Sequence, residues 1–236
     1  MFFFLIPYNV DVPMERWPFA NWALMAFTVM VSVIAFPAMM GIGAYEHWMM
    51  SGPGDWWSDA GLLGSVFTHG GWGHLIGNLI FLFVFGNAVN AKLGHGLFIA
   101  CYVLLGTLSG LAYTAASHAG VPSLGASGAI AGIMGMFIVF YPRNNISILF
   151  FVWILRAHVK VFQLSAWIVI GAYFAKDLFF QVLYDTGVYD NGVALMAHLA
   201  GTVAGVILAS LLLLTDRIRP TEHEQTLLEL VGMQSW

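Results

Sequence analysis

The sequence predicts an all-α, polytopic membrane protein built as a six-transmembrane-helix bundle, and three observations predict it. Of 236 residues, 60% are hydrophobic and 8% charged, where an ordinary soluble domain carries roughly 25% charged residues. Six stretches are apolar enough to enter a hydrocarbon core, which takes about 20 apolar residues per helix. The basic residues fall on alternate connections between those stretches, as the positive-inside bias of helical membrane proteins requires.

The six expected spans are Phe19 to Ile42, His74 to Val89, Gly96 to Ala116, Leu124 to Tyr141, Val161 to Leu183 and Val193 to Leu214. Residues 1–18 form a cytoplasmic segment, 19–214 the membrane domain and 215–236 a cytoplasmic tail. Arg16, Lys92, Arg143, Arg156, Lys160, Arg217 and Arg219 lie before span one or after spans two, four and six, and Lys176 alone departs from this pattern. Glu46, Asp55, Asp59, Asp185 and Asp190 lie on the other connections. Both termini are therefore expected in the cytoplasm, and spans two, four and six begin at the outer face.

The loop Glu46 to Trp72 holds Trp48, Trp56, Trp57 and Trp72, aromatics that favour the headgroup level. Arg143 to Val159 contains an apolar run too short to span, read here as an interfacial or re-entrant loop. Met1 to Pro7 is apolar but lacks a basic leader, so no cleaved signal is expected, and a bacterial inner membrane is favoured over a mitochondrion.

Several function classes drop out. A net charge of -4 without a basic cluster excludes the footprint of nucleic-acid binding. One cysteine, Cys101, cannot make an intramolecular disulfide. No His-Glu-xx-His occurs, so a zinc protease is not expected, and Asp185 has no Gly-x-Gly-Asp partner of the kind an aspartyl intramembrane protease would need. A transporter would gather charges and helix breaks at mid-membrane, which these spans lack.

Polar groups inside spans are costly and need a partner or a purpose. His74 and Asn78 stand at i and i+4, on one face of span two. Ser127 opens span four inside Gly125-Ala126-Ser127-Gly128, and His198 lies one turn into span six. All four belong to spans that start outside, so they share one shallow depth. A serine hydroxyl becomes a nucleophile when an imidazole takes its proton, a pair that Ser127 and His198 supply. The Ser127 backbone N–H, the Asn78 amide and the His74 ring are candidate donors to the oxyanion that results. Gly125, Gly128 and Gly132, with Gly201 and Gly205, are small positions where helices approach closely, so spans four and six are expected to touch. Each residue alone has a plainer reading. A serine among glycines usually packs, a lone histidine usually bridges helices, and His69 is better read as a loop anchor than as a reactant.

Gly125-Ala126-Ser127-Gly128, Ala197-His198-xx-Gly201-xxx-Gly205 and His69-xxxx-His74-xxx-Asn78-Leu79 together resemble the rhomboid family, over roughly residues 67–214. The stretch from Ile6 to Pro13 resembles the lead-in of bacterial members more weakly. The resemblance implies a six-helix bundle that hydrolyses a peptide bond in or beside a transmembrane helix of a membrane-protein substrate within the lipid bilayer. It implies a Ser127–His198 dyad without a third acid, oxyanion donors at His74 and Asn78, and no metal or organic cofactor. The alternative is an inactive rhomboid-like scaffold that binds transmembrane helices; such relatives usually lose the serine or histidine, and this chain keeps both. Two departures stand out. The first outer loop has Asp55-Trp56-Trp57 where many members have Trp-Arg, and Ala131 stands where some members stack a tyrosine on the histidine. Another group must then orient His198. A movable wall is expected in span five, with Phe162, Phe174, Phe179, Phe180 and the loop Tyr184 to Gly192. Oligomeric state is not legible in the sequence.

Overall fold

A computed structural model describes residues 2–39, 61–116, 125–154, 156–188, 194–221 and 224–234. The expectations for Glu46, Trp48, Asp55, Trp56, Trp57, Asp59 and Asp190 lie outside the described residues.

Helix α1 is Phe19–Met39 and α2 is the short Gly61–Phe67. Next come α3 (Trp72–Phe81), a π-helical turn (Leu82–Gly86) and α4 (Asn87–Leu93), which run on as one apolar helix. They are followed by α5 (His95–Ala116), α6 (Ser127–Phe140), α7 (Ala166–Asp185), α8 (Leu195–Leu214) and the single turn α9 (Leu227–Leu230). Among the described residues, four helices are long and apolar enough to cross a membrane: Trp72–Leu93, α5, α7 and α8. The Phe19–Ala35 part of α1 and all of α6 are shorter apolar helices.

Asn21 of α1 reaches into the π turn, its Nδ2 donating to the Leu82 carbonyl at 2.9 Å and to Asn87 Oδ1 at 2.8 Å. That uses both amide hydrogens and ties α1 to the widened turn. A Cβ at Gly86 would stand 2.6 Å from Asn21 Oδ1, so only glycine admits this contact.

The all-α expectation needs correction, because the chain also carries a three-stranded antiparallel sheet in the order β1-β2-β3. Strand β1 is Phe2–Val10, β2 is Asn145–Ile154 and β3 is Arg156–Ser165. The stretch expected to be a re-entrant or interfacial loop is thus a hairpin paired from Asn145↔Ser165 to Ile154↔Arg156. Its composition explains the outcome: Ile146, Ile148, Phe150, Phe151, Val152 and Trp153 are the β-branched and aromatic residues that fit a pleated surface. Its register with β1, Phe2↔Trp153 through Val10↔Ile146, joins segments far apart in sequence, which local periodicity cannot reveal. Span five accordingly begins at Ala166 rather than Val161, and Phe162 belongs to β3, not to the helical wall.

Helix α6 is the hub. Gly128, Ile130, Gly132, Met134, Gly135 and Met136 are buried, with Ile133 and Phe137 wholly enclosed, so it is apolar all round. It lies against α8 through glycine: a Cβ at Gly201 would overlap the Gly128 carbonyl oxygen, and one at Gly205 the Gly132 carbonyl oxygen. Between apolar helices in lipid, this close backbone approach supplies the dispersion contact that a hydrophobic driving force cannot.

Candidate active site

Three helices that run in the same direction, α3, α6 and α8, each begin at one end of the bundle and carry a site residue in or near the first turn. There a cavity of about 330 Å³ is lined by His74, Asn78, Ser127, Ala131, Asp177 and His198, among others. The structure therefore brings together all four polar residues singled out from the sequence. Ile130, Met134, Ile170 and Phe174 give the cavity apolar walls. Its far side is closed where Phe81 of α3 meets Tyr173 of α7 edge-on, with centroids 5.1 Å apart.

The serine is presented by a strained approach. Gly125 has φ 116, a value open to glycine, and Ala126 N-caps α6 without a side-chain bond. A Cβ at Gly125 would stand 2.7 Å from His74 Cε1 and 3.5 Å from Asn78 Nδ2. The His74 and Asn78 side chains are thus set against the backbone just before Ser127. Asn78 Nδ2 is buried and has no hydrogen-bond partner among the described residues. Buried polar groups are nearly always paired, so an unmet donor at a cavity wall asks for an explanation.

The loop preceding Ser127 is anchored by His69. The Gly125 N–H donates to the Ser65 carbonyl at 2.8 Å, and the Ala126 N–H donates to His69 Nε2 at 3.4 Å. Because Nε2 accepts there, the ring proton sits on Nδ1 and donates to Ser32 Oγ at 3.0 Å, while Ser32 donates to the Phe67 carbonyl at 2.9 Å. Burial, helped by nearby His74, lowers the pKa of His69 to about 4. His69 is thus placed as a neutral strut beneath the serine loop.

One residue at the site went unnoticed in the sequence. Asp177 of α7 places Oδ2 3.2 Å from His198 Nδ1, and its Oδ1 forms an ion pair with Lys176 Nζ at 2.8 Å. Lys176 in turn lies over the Tyr173 ring, 5.4 Å from its centroid. The signal was available, since an acid inside an apolar span is a functional candidate by default, and its neighbour Lys176 was the exception to the charge bias.

No group of three or more metal-ligating side chains occurs among the described residues. Of the histidines at span ends, His95 is near Asn90, at 3.4 Å, and His158 lies on β3, both away from the cavity.

The rhomboid domain model matches residues 53–215. Among similar proteins, Rhomboid protein 1, mitochondrial, of Saccharomyces cerevisiae is 30% identical over 64% of this chain and 41% of its own length. The putative rhomboid protease YdcA of Bacillus subtilis is 27% identical over 67% of this chain and 68% of its own. Rhomboid protease GluP of Bacillus subtilis is 34% identical over 45% and 20% respectively. The chain thus spans less than half the length of two of these relatives and about two thirds of the third. The domain match covers most of the chain and includes every cavity residue described above, and on that ground the chain belongs to the rhomboid family.

Proposed function

We propose that this chain is an intramembrane serine endopeptidase that cleaves peptide bonds in or next to transmembrane helices of membrane-protein substrates. Rhomboid proteins are generally serine intramembrane proteases acting within the bilayer. The observation that carries the reading for this member is one cavity lined by Ser127, His198, His74 and Asn78, with the Asn78 amide buried and unpartnered.

In the proposed reaction, Ser127 Oγ attacks the scissile carbonyl carbon while His198 Nε2 takes the hydroxyl proton. The carbonyl π pair moves to oxygen, and the oxyanion accepts from the Ser127 backbone N–H, Asn78 Nδ2 and the His74 ring. Collapse expels the amine, which leaves with the proton held by His198. Water then attacks the acyl-serine through the same imidazole, releasing a carboxylic acid and restoring Ser127. In this reading the oxyanion supplies the acceptor that Asn78 Nδ2 lacks, and the bond strengthens as negative charge develops on that oxygen.

The topology belongs to the same proposal: six spans, with α1 and α6 as the shorter pair, both termini cytoplasmic and the cavity open to the opposite side. It is supported by Lys92 in the last turn of α4, Arg143 after α6 and Arg217 after α8, all at the end of the bundle away from the cavity. The relatives include a mitochondrial protein and two from a bacterium; the proposed location is a bacterial plasma membrane.

Purified protein in proteoliposomes, given a fluorescent transmembrane substrate, should cleave it, and Ser127→Ala and His198→Ala should each abolish cleavage. A fluorophosphonate probe should label wild type and not Ser127→Ala. Undiminished cleavage by either variant would overturn the proposal, and wild-type protein that binds transmembrane helices but neither cleaves nor labels would point to the scaffold alternative.

A further inference from the structure

Beyond the dyad, we propose that Asp177 is a positioning residue for His198, so that α7 supplies an acid that completes a Ser127–His198–Asp177 line. The inference rests on the dyad reading above.

A carboxylate only accepts hydrogen bonds, so the 3.2 Å contact between Asp177 Oδ2 and His198 Nδ1 places the ring proton on Nδ1. That tautomer leaves the Nε2 lone pair free, and Nε2 is the atom that must receive the Ser127 proton. An imidazole with its proton on Nε2 could not act as the base. The carboxylate also holds the ring plane and faces the positive charge that His198 acquires as the serine attacks. The position fits the task. Asp177 is 6% exposed, sits on the cavity wall beside His198, and keeps its second oxygen on Lys176, which leaves Oδ2 aimed at the ring.

This contact also fills a vacancy in the site. Ala131, one turn along α6 from Ser127, lines the cavity but has no group with which to stack on or bond the imidazole. Orientation of His198 from α8's own neighbours is no better, since the adjoining residues Ala197 and Leu199 are apolar and buried. Thr202 Oγ1 is turned to the His198 backbone carbonyl at 2.9 Å and does not reach the ring. Among the described residues, Asp177 is the polar group that does. Because it stands on α7 and His198 on α8, the line is intact only while those two helices stay in register.

The test compares wild type with Asp177→Asn, which keeps shape and removes charge, at about pH 8.5, two units above the ordinary imidazole value. The expected result is a loss in kcat of about 10- to 100-fold, with KM within about threefold, and a parallel fall in the rate of fluorophosphonate labelling of Ser127. Nitrogen-15 NMR of histidine-labelled protein, with the His198 signal identified by its loss in His198→Asn, should show the Nδ1–H tautomer in wild type and a mixture in Asp177→Asn. A folded Asp177→Asn protein with wild-type kcat, or a change confined to KM, would overturn the inference. So would an Nε2–H tautomer in wild type, a reading that stands even if the variant fails to fold. If wild type neither cleaves nor labels at Ser127, the dyad reading fails, and the tautomer measurement still decides whether Asp177 sets the ring.

Discussion

The two ends of the helix bundle each hold a lysine–carboxylate pair, buried at one end and half exposed at the other, and they do opposite things with it. Away from the cavity, Lys92 has a side chain only 2% exposed and meets Glu15 at 2.8 Å and Glu224 in a shorter contact still. Nearby, Arg143 donates to Gln225 at 2.9 Å, and the capping box of Thr226 with Glu229 starts α9, whose Leu228 is buried. Lys92, Glu224 and Arg143 each have a partner there, and the arrangement clamps the segment before α1, the end of α4 and the tail onto one another. At the cavity end, by contrast, Asn78 Nδ2 has no partner among the described residues, Lys176 is half exposed, and His198 faces a carboxylate on one side and open volume on the other. A buried ion pair by itself is weak evidence for anything beyond order. An unmet donor beside a cavity is what separates the candidate site from the clamp.

The sharpest way to break this contrast is to strip each end in turn. Lys92→Met should destabilise the protein by about 3–5 kcal/mol, because Glu224, with a side chain 2% exposed, is left buried without its counter-charge. Thermal unfolding in detergent should show it, while the fluorophosphonate labelling rate of the protein still folded at low temperature stays unchanged; a slowed rate would show that the clamp is coupled to the site. Asn78→Ala should do the reverse. Removing one oxyanion donor costs about 10²- to 10³-fold in kcat, whereas melting temperature should hold or rise, since a buried unpaired donor is relieved. A fall in melting temperature with kcat intact would make Asn78 a structural residue.

His69 links the two behaviours through pH. Its folded pKa of about 4 lies below the ordinary value of 6.5, so the unfolded chain binds the proton first. Stability is therefore full above about pH 6.5 and falls as pH drops toward 4, by about 3 kcal/mol at most at about 1.4 kcal/mol per unit. Chemical denaturation at pH 7 and pH 4.5 should register that loss, and His69→Gln should flatten it. The smallest effect is expected at the tail, where Thr226→Ala removes a helix cap worth about 1 kcal/mol. Hydrogen exchange should rise across Leu227–Leu230 with cleavage untouched.

Much of the site was legible because its residues obey one-dimensional rules. His74 and Asn78 share a helix face at i and i+4, Ser127 sits behind Gly125 at a helix start, and Gly201 and Gly205 recur at one-turn spacing. Each of these is a local pattern with a local cause. Asp177 was harder to read: as an acid inside an apolar span it carries a signal, but it opens no motif, it follows Lys176 so that the pair reads as a neutralised surface charge, and its partner His198 lies on the next helix. The sheet was hidden for a related reason. Asn145–Ile154 reads equally as a short apolar membrane segment or as a strand, and only pairing with Phe2–Val10, some 140 residues earlier, resolves it.

What the sequence determined by itself is most of the helical segments and the polar residues that a membrane would otherwise exclude, because hydropathy, charge bias and helix periodicity act over one to six turns; its motifs around Ser127 and His198 carry the resemblance to the family. What the tertiary structure decided is which of those residues meet. The glycine contact of α6 with α8 fixes where His198 stands relative to the start of α6, and the placing of α7 against α8 brings Asp177 to its ring. The return of β1 onto the β2–β3 hairpin turns an apparent loop into a sheet. Those outcomes depend on contacts between distant parts of the chain, whose energies no single stretch of residues contains.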